Sequence, residues 1–154
     1  MKELAKLDIK LLNYKEKVRT KKAPNSLLIW DPVRKKHIVE SPEEWVRQLC
    51  LQYLIGEKNY SPKKIRVEFG LKVNKLFKRC DILAFDSDMK PFLLVECKSW
   101  KIPLNQTVFD QVAMYNLTFK VPYLMITNGY FSLVCHINYD KNEYEFLSDI
   151  PQCP

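Results

Sequence analysis

Apolar and polar residues alternate along residues 64–71, which is the pattern of a β-strand with one buried face. Two short apolar runs follow, at residues 78–86 and 91–98, and turn-forming residues 86–90 separate them. The pattern predicts a first strand followed by a β-hairpin. The inward residues of the first strand are predicted to be Ile65, Val67, Phe69 and Leu71.

A helix is predicted to begin at Ser41 and to end near Gly56. Ser41 can cap the helix, Pro42 suits its first position, and Glu44 lies three residues on to complete a capping box. The residues spaced for its apolar face are Trp45, Val46, Leu49, Cys50, Tyr53 and Leu54.

The flanking segments complete the predicted layout. Leu or Ile recurs with Lys at roughly helical spacing up to about Thr20, which predicts a basic helix followed by a break over residues 21–25. Residues 27–30 are predicted to form an edge strand. Later elements are predicted as a helix at 106–119 and strands at 122–127, 131–139 and 143–147.

This order of elements predicts an α/β fold with a central mixed β-sheet flanked by helices. The 154 residues are 47% hydrophobic, which is enough to bury a core. We divide the chain into a basic helix or arm, residues 1–25, and one domain, residues 26–154.

No apolar run is long enough to span a membrane, and no signal-peptide core follows the first three residues. The five cysteines are widely spaced, without a C-x-x-C pair, and are expected to be reduced core thiols of a cytoplasmic protein. With only two histidines, a histidine-centred nuclease or a triad hydrolase is not favoured.

The candidate chemistry lies on the predicted hairpin. Strand alternation places Glu96 and Lys98 on one face of the second strand, and Asp81 lies on the first. A divalent ion shared by the two carboxylates would compensate their burial, and oxygen ligands suit Mg²⁺ or Mn²⁺. This pattern predicts metal-assisted phosphodiester hydrolysis, with Lys98 orienting water or neutralising charge. The alternative is an ordinary surface Glu/Lys pair at the end of a strand.

The predicted helix at 106–119 adds to this site. Val108, Val112, Tyr115 and Phe119 share one face, and Gln111 is predicted to lie inside it, one turn before Tyr115. The Gln111 amide then either bonds to backbone groups or reaches the carboxylates or a substrate phosphate.

In this order and spacing, Asp81, Glu96-x-Lys98 and Gln111-x-x-x-Tyr115 resemble the nuclease core of the PD-(D/E)xK restriction-endonuclease-like superfamily. The resemblance implies a restriction-endonuclease-like fold in which the Asp and Glu bind metal, the Lys is catalytic, and the Gln/Tyr helix supports DNA cleavage. We add the Cys97 carbonyl as a third candidate metal ligand.

More narrowly, residues 41–128 resemble the N-terminal nuclease domain of type I restriction enzyme R subunits. One departure is Cys80, which stands where a Pro often precedes the Asp. A second is the lack of a G-x-x-x-x-G-K-[ST] phosphate cradle, because the only glycines are Gly56, Gly70 and Gly129. The chain itself is therefore not expected to be an ATP-driven motor. Candidate partners are DNA, a motor or specificity protein on another chain, and a second copy of this chain.

Members of the superfamily often carry one more acid on the first helix. Helical geometry favours Glu43 as this additional acid, with Arg47 as its partner. Glu44 is the weaker candidate, because it is predicted to complete the capping box. The alternative is that Glu43 only complements the helix dipole.

The net charge of +7 favours a nucleic-acid partner. Residues 72–79, predicted as a loop before Asp81, concentrate Lys72, Lys75, Lys78 and Arg79. These residues either contact DNA phosphates or form a solvated basic turn. The leading interpretation is a Mg²⁺-dependent deoxyribonuclease. The alternative is a non-catalytic DNA-binding or interaction subunit that keeps the fold.

Overall fold

The computed structural model of the protein describes residues 4–154, except for the side chain of Val73. Its described strands form two sheets. The small antiparallel sheet contains β1 (Thr20–Ala23), β2 (Ser26–Asp31) and β3 (Lys36–Val39). The central sheet contains β4 (Ile65–Val73), β5 (Leu76–Phe85), β6 (Pro91–Cys97), β7 (Tyr123–Thr127), β8 (Ser132–Asn138) and β9 (Glu143–Phe146), in that spatial order.

The helices are α1 (Pro42–Gly56) and α2 (Gln106–Phe119), with short 3₁₀ helices at Leu11–Lys17 and Pro62–Lys64. Helix α1 begins as predicted, because the Ser41 hydroxyl accepts the Glu44 N–H. The Asn105 side chain caps α2 in the same way.

The central sheet lies between the two α-helices. Strands β6 and β7 are parallel and α2 connects them, whereas the other neighbours in the sheet are antiparallel. One core, which includes Leu93 and Val95 of β6, packs against α1. The other, which includes Leu94, packs against α2. This arrangement confirms the predicted α/β class with a central mixed sheet flanked by helices.

The N-terminal region differs from the prediction. The predicted helix up to Thr20 is replaced by a short 3₁₀ helix and by β1, and its first three residues lie outside the described residues. The predicted edge strand, β2, is the middle strand of the small sheet, because β3 pairs with its other side. The predicted boundary between residues 25 and 26 falls in the turn that joins β1 and β2.

Strand β4 changes face in its middle. Ile65 and Val67 pack in the α1 core, whereas Phe69 and Leu71 pack against the α2 core, so the prediction that all four share a face is wrong. The reason is Glu68, whose φ of 53° is left-handed and interrupts the alternation.

The cysteines behave as the sequence predicts for core thiols. Four are buried, at Cys50, Cys80, Cys97 and Cys135, and Cys153 is half-buried. All five are free thiols. Among the described helices, none is both long and apolar enough to cross a membrane.

Candidate active site

The hairpin brings Asp81 beside the end of β6. The backbone ladder between β5 and β6 reaches only as far as Ile82 and Val95. Beyond it, the Cys97 N–H donates to Oδ2 of Asp81 at 2.8 Å. On its other side, β6 stays paired with β7, and the Lys98 N–H donates to the Thr127 carbonyl at 2.8 Å. The end of β6 is therefore held by the Asp81 side chain on one side and by the backbone of β7 on the other.

A single guanidinium joins Asp81 to two other acids. Arg47 of α1 is 5% exposed, and its Nη2 lies 2.7 Å from Oδ1 of Asp81 and 3.0 Å from Oε1 of Glu68. Its Nη1 is paired with Oε2 of Glu44. Since buried carboxylates are costly without a counter-charge, Arg47 compensates the acids that the fold gathers here.

The acid that α1 supplies to this cluster is Glu44, so the predicted pairing of Glu43 with Arg47 is wrong. Glu43 is exposed, whereas Glu44 is 4% exposed. The reason lies in the small sheet, which brings Arg34 to this side of α1, so that Arg34 Nη2 lies 2.5 Å from Oε1 of Glu44. The Glu44 carboxylate is thus used for ion pairs with Arg34 and Arg47, although its backbone N–H is capped as expected.

Asp31 extends the ion-pair network into β2. Its side chain accepts from Arg34 Nε at 2.6 Å and from Gln48 Nε2 at 2.9 Å. Burial alone would raise the pKa of Asp31, but hydrogen bonds from the backbone and side chain of Arg34 outweigh it and hold the pKa below its usual value. Charged contacts therefore run from Asp31 through Arg34, Glu44 and Arg47 to Asp81.

Glu96 lies at the end of β6, with its side chain 19% exposed. Lys98 Nζ is 3.5 Å from its Oε1, Lys78 Nζ is 3.9 Å from its Oε2, and Oε2 has no hydrogen-bond partner among the described residues. Burial raises the pKa of Glu96, and the negative charge of Asp81 raises it further. A bound cation would favour the ionised form of this carboxylate.

A cleft of about 780 Å³ opens above Glu96. It separates α2 from the β4–β5 hairpin. The candidate residues among those that line it are Lys78, Arg79, Glu96, Lys98, Gln111 and Tyr115. Asp81 is not among the lining residues, since its carboxylate faces Arg47.

The predicted orientation of α2 needs correction. Gln111 is exposed and does not lie inside the buried face, and Tyr115 is 56% exposed. The buried face is formed by Phe109, Val112 and Asn116, because Phe109 packs against the rings of β9 and Asn116 donates to the Val121 carbonyl. Gln111 and Tyr115 nevertheless line the same cleft as Glu96 and Lys98.

The basic segment at 72–79 is the tip of the β4–β5 hairpin, where the sequence predicts a loop. Lys72, Lys75 and Arg79 are exposed, and Arg79 also pairs with Glu68 at 3.2 Å. Lys78 differs, because it is only 9% exposed and lines the cleft. The tip is therefore not a uniform solvated basic turn.

Glu44, Glu68 and the inward position of Lys78 were not identified from the sequence. The burial of Glu44 could have been predicted from its spacing of three residues from Arg47, which allows an ion pair on a helix. The inward position of Lys78 is indicated more weakly, because it lies two residues before Cys80 in an alternating strand. Nothing in the sequence indicates the role of Glu68, because residue type does not encode its left-handed φ.

Two carboxylates can serve an ion that keeps several water ligands, as Mg²⁺ does. Among residues 4–154, no group of three or more His, Cys, Asp or Glu side chains is arranged to hold a metal. Asp81 and Glu96 have donor atoms of the kind that such an ion takes, because Glu96 keeps an unpartnered oxygen and a carboxylate accepts more bonds than Asp81 makes.

Comparison with known proteins places the chain in a family. A family model described as type I restriction enzyme R protein N terminus (HSDR_N) matches residues 42–151. One similar solved structure is the fragment structure of a putative HsdR subunit of a type I restriction enzyme from Vibrio vulnificus YJ016, at 22% identity and a TM-score of 0.46. That match covers 66% of this chain and 22% of the solved chain, so the chain spans about a fifth of that protein fragment's length. No curated protein matches the chain. Because the family match covers well over half of its residues, the chain belongs to the type I restriction enzyme R protein N-terminal family.

Proposed function

We propose that this protein is a metal-dependent nuclease that hydrolyses DNA phosphodiester bonds. The observation that carries the proposal is the Glu96 carboxylate, largely buried at the end of β6 with one oxygen unpartnered and two ammonium groups beside it. A purely structural acid would be expected to have its buried oxygens satisfied. The family membership supports a restriction-related role for the same segment.

The roles follow from the chemistry of each group. Asp81 and Glu96 would hold Mg²⁺ or Mn²⁺, with the Cys97 carbonyl as an additional ligand. The ion would supply Lewis acidity toward the phosphate and the attacking water. Lys98 would stabilise negative charge that develops on the phosphate, since its ammonium lies beside Glu96 at the mouth of the cleft. Gln111 would contact the DNA strand from α2, with Tyr115 beside it in the cleft.

The partner that this surface suits is DNA. Lys72, Lys75 and Arg79 are exposed on the hairpin that borders the cleft, where they can reach phosphates. Within a restriction-type assembly in the cytoplasm, a motor or specificity protein would be a further partner. A second copy of this chain is another candidate.

The proposal is tested by incubating the purified protein with supercoiled plasmid in Mg²⁺ or Mn²⁺, at high protein concentration. We expect nicked or linear product, and a loss of about a hundredfold or more in Glu96→Gln. Glu143→Gln on the exposed edge of β9 is the matched control. Equal rates in the Glu96→Gln variant and the parent would remove Glu96 from the reaction.

A second function is favoured by one contact. The Arg47 guanidinium forms an ion pair with the Asp81 carboxylate, which already supplies that carboxylate with a positive charge. This arrangement also suits a non-catalytic DNA-binding or interaction subunit. In that case the parent would bind DNA tightly in Mn²⁺ and cleave nothing. Adding the motor or specificity proteins would then restore no cleavage by this chain.

A further inference from the structure

Lys78 is placed differently from the other cations of its hairpin. Its side chain is 9% exposed, whereas Lys72, Lys75 and Arg79 are exposed. Burial of an ammonium is unfavourable unless other groups compensate for lost water. The inward position of Lys78 therefore depends on specific neighbours.

Two neighbours account for its position. The Nζ atom lies 4.4 Å from the centroid of the Tyr115 ring, a distance suited to a cation–π contact. It also lies 3.9 Å from Oε2 of Glu96, which is close enough for attraction but too long for a hydrogen bond. The ring and the carboxylate stabilise the charge, and neither contact is a hydrogen bond to an oxygen or nitrogen acceptor.

The donors of Lys78 are thus available to a ligand. A lysine ammonium has three N–H donors, and no hydrogen-bond acceptor among the described residues takes any of them. Lys78 lines the same cleft as Lys98, and the two ammonium groups flank opposite oxygens of Glu96. A phosphate oxygen is the acceptor that matches such a pair in charge and geometry.

We propose that Lys78 is a second ammonium of the reaction site, which donates to a non-bridging oxygen of the DNA phosphate bound in the cleft. Tyr115 positions it through the face of its ring. This role rests on the proposed function for its catalytic consequence, but the phosphate contact itself does not require cleavage. It separates Lys78 from the exposed lysines, whose proposed phosphate contacts lie at the hairpin tip, outside the reaction site.

The position of Tyr115 makes the proposal specific. Tyr115 is 56% exposed on α2, and its contact with Lys78 needs the aromatic face and not the hydroxyl group. Phe at this position would keep the face, and Leu would remove it while preserving an apolar side chain. The difference between these two variants therefore reports on the placement of Lys78.

The first measurement is binding of a short DNA duplex in Ca²⁺, so that cleavage does not contribute. Lys78→Met and Lys75→Met each remove one charge, and Met keeps the apolar stem of the buried lysine. We expect Lys78→Met to weaken binding by about tenfold more than Lys75→Met, because a direct charge-assisted bond is lost. Equal losses in the two variants would overturn the proposal.

The second measurement is a double-mutant comparison in the same assay. Tyr115→Leu should weaken binding several-fold more than Tyr115→Phe in the parent, and the two should be equal when Lys78 is already Met. A difference that persists without Lys78 would show that Tyr115 does not act through it. Under Mn²⁺, single-turnover cleavage should fall more in Lys78→Met than in Lys75→Met.

The two proposals fail in different ways. If the parent binds as expected and cleaves nothing, the nuclease function fails while the phosphate contact stands. If the parent cleaves and Lys78→Met matches Lys75→Met in both assays, Lys78 is no part of the site while the nuclease function stands.

Discussion

The Nη2 atom of Arg47 lies 2.7 Å from Oδ1 of Asp81, so a buried cation from α1 pairs with the acid of β5 that lies beside the end of β6. The same guanidinium also binds Glu44 and Glu68. It therefore joins α1, β4 and β5 near Glu68, the position at which strand β4 changes face. The Arg47 guanidinium therefore contributes both to the geometry of the candidate site and to the stability of the fold.

Replacing Arg47 with Met should destabilise the protein by about 3–5 kcal/mol, because three acids lose their buried counter-charge. Urea unfolding measures the loss. Arg79→Met is the matched control, since Arg79 also pairs with Glu68 but is 66% exposed, and a loss of about 0–1 kcal/mol is expected. Similar losses in the two variants would mean that the cluster contributes no more than a surface pair.

Asp31 should make the stability depend on pH on the acid side. Burial would raise the pKa of Asp31, but the Arg34 hydrogen bonds hold it below the unfolded value, so its contribution is present above about pH 4 and is lost as pH falls further. Urea midpoints of the parent should therefore fall more steeply below about pH 4 than those of Asp31→Asn. Parallel curves for the two proteins would contradict the assigned pKa direction.

Metal binding should require both carboxylates of the site. We expect weak Mn²⁺ binding without DNA, because two acids leave most of the metal ligands as water. In isothermal titration the heat should vanish in Asp81→Ala and in Asp81→Asn, which keeps an acceptor for Arg47 and Cys97. Asp88→Ala, in the exposed β5–β6 turn, should titrate like the parent. Unchanged binding in both Asp81 variants would place the metal elsewhere.

The exposed hairpin lysines should contribute to DNA affinity through salt-dependent contacts. Replacing Lys72 and Lys75 with Gln should weaken binding for all sequences and lower the slope of log affinity against log salt by about one unit per contact. Fluorescence anisotropy across salt concentrations measures this slope. Lys141→Gln, in the β8–β9 turn, controls for net charge. A slope equal to that of the parent would remove the hairpin tip from the DNA surface.

Local patterns were sufficient to predict the main elements of the fold. The Ser41 cap and the Asp86 turn are short-range features, so the start of α1 and the β5–β6 hairpin follow from neighbouring residues. The side of a helix or strand that becomes buried depends on distant segments. Glu44 is buried because Arg34 arrives from the small sheet, and β4 changes face because Glu68 adopts a left-handed φ.

The same distinction holds for the candidate site. The order of Asp81, Glu96 and Lys98 along the hairpin is visible in the sequence. Their ion pairs with Arg47 and Lys78 are not, because both partners come from positions whose orientation is fixed by tertiary packing. Gln111 is exposed for the corresponding reason, since the side chains around Phe109 decide which face of α2 is buried.

The central claim is tested most directly by the rate of plasmid cleavage in Lys98→Ala, measured in Mn²⁺ at high protein concentration beside its Mn²⁺ and DNA affinities. Because Lys98 is assigned to charge that develops during the reaction, we expect both affinities to be retained and cleavage to fall by roughly a hundredfold or more. Lys98→Arg should not restore the full rate, since a planar guanidinium does not reproduce a compact ammonium. A parent that cleaves, with Lys98→Ala cleaving at the same rate, would contradict the assigned active site.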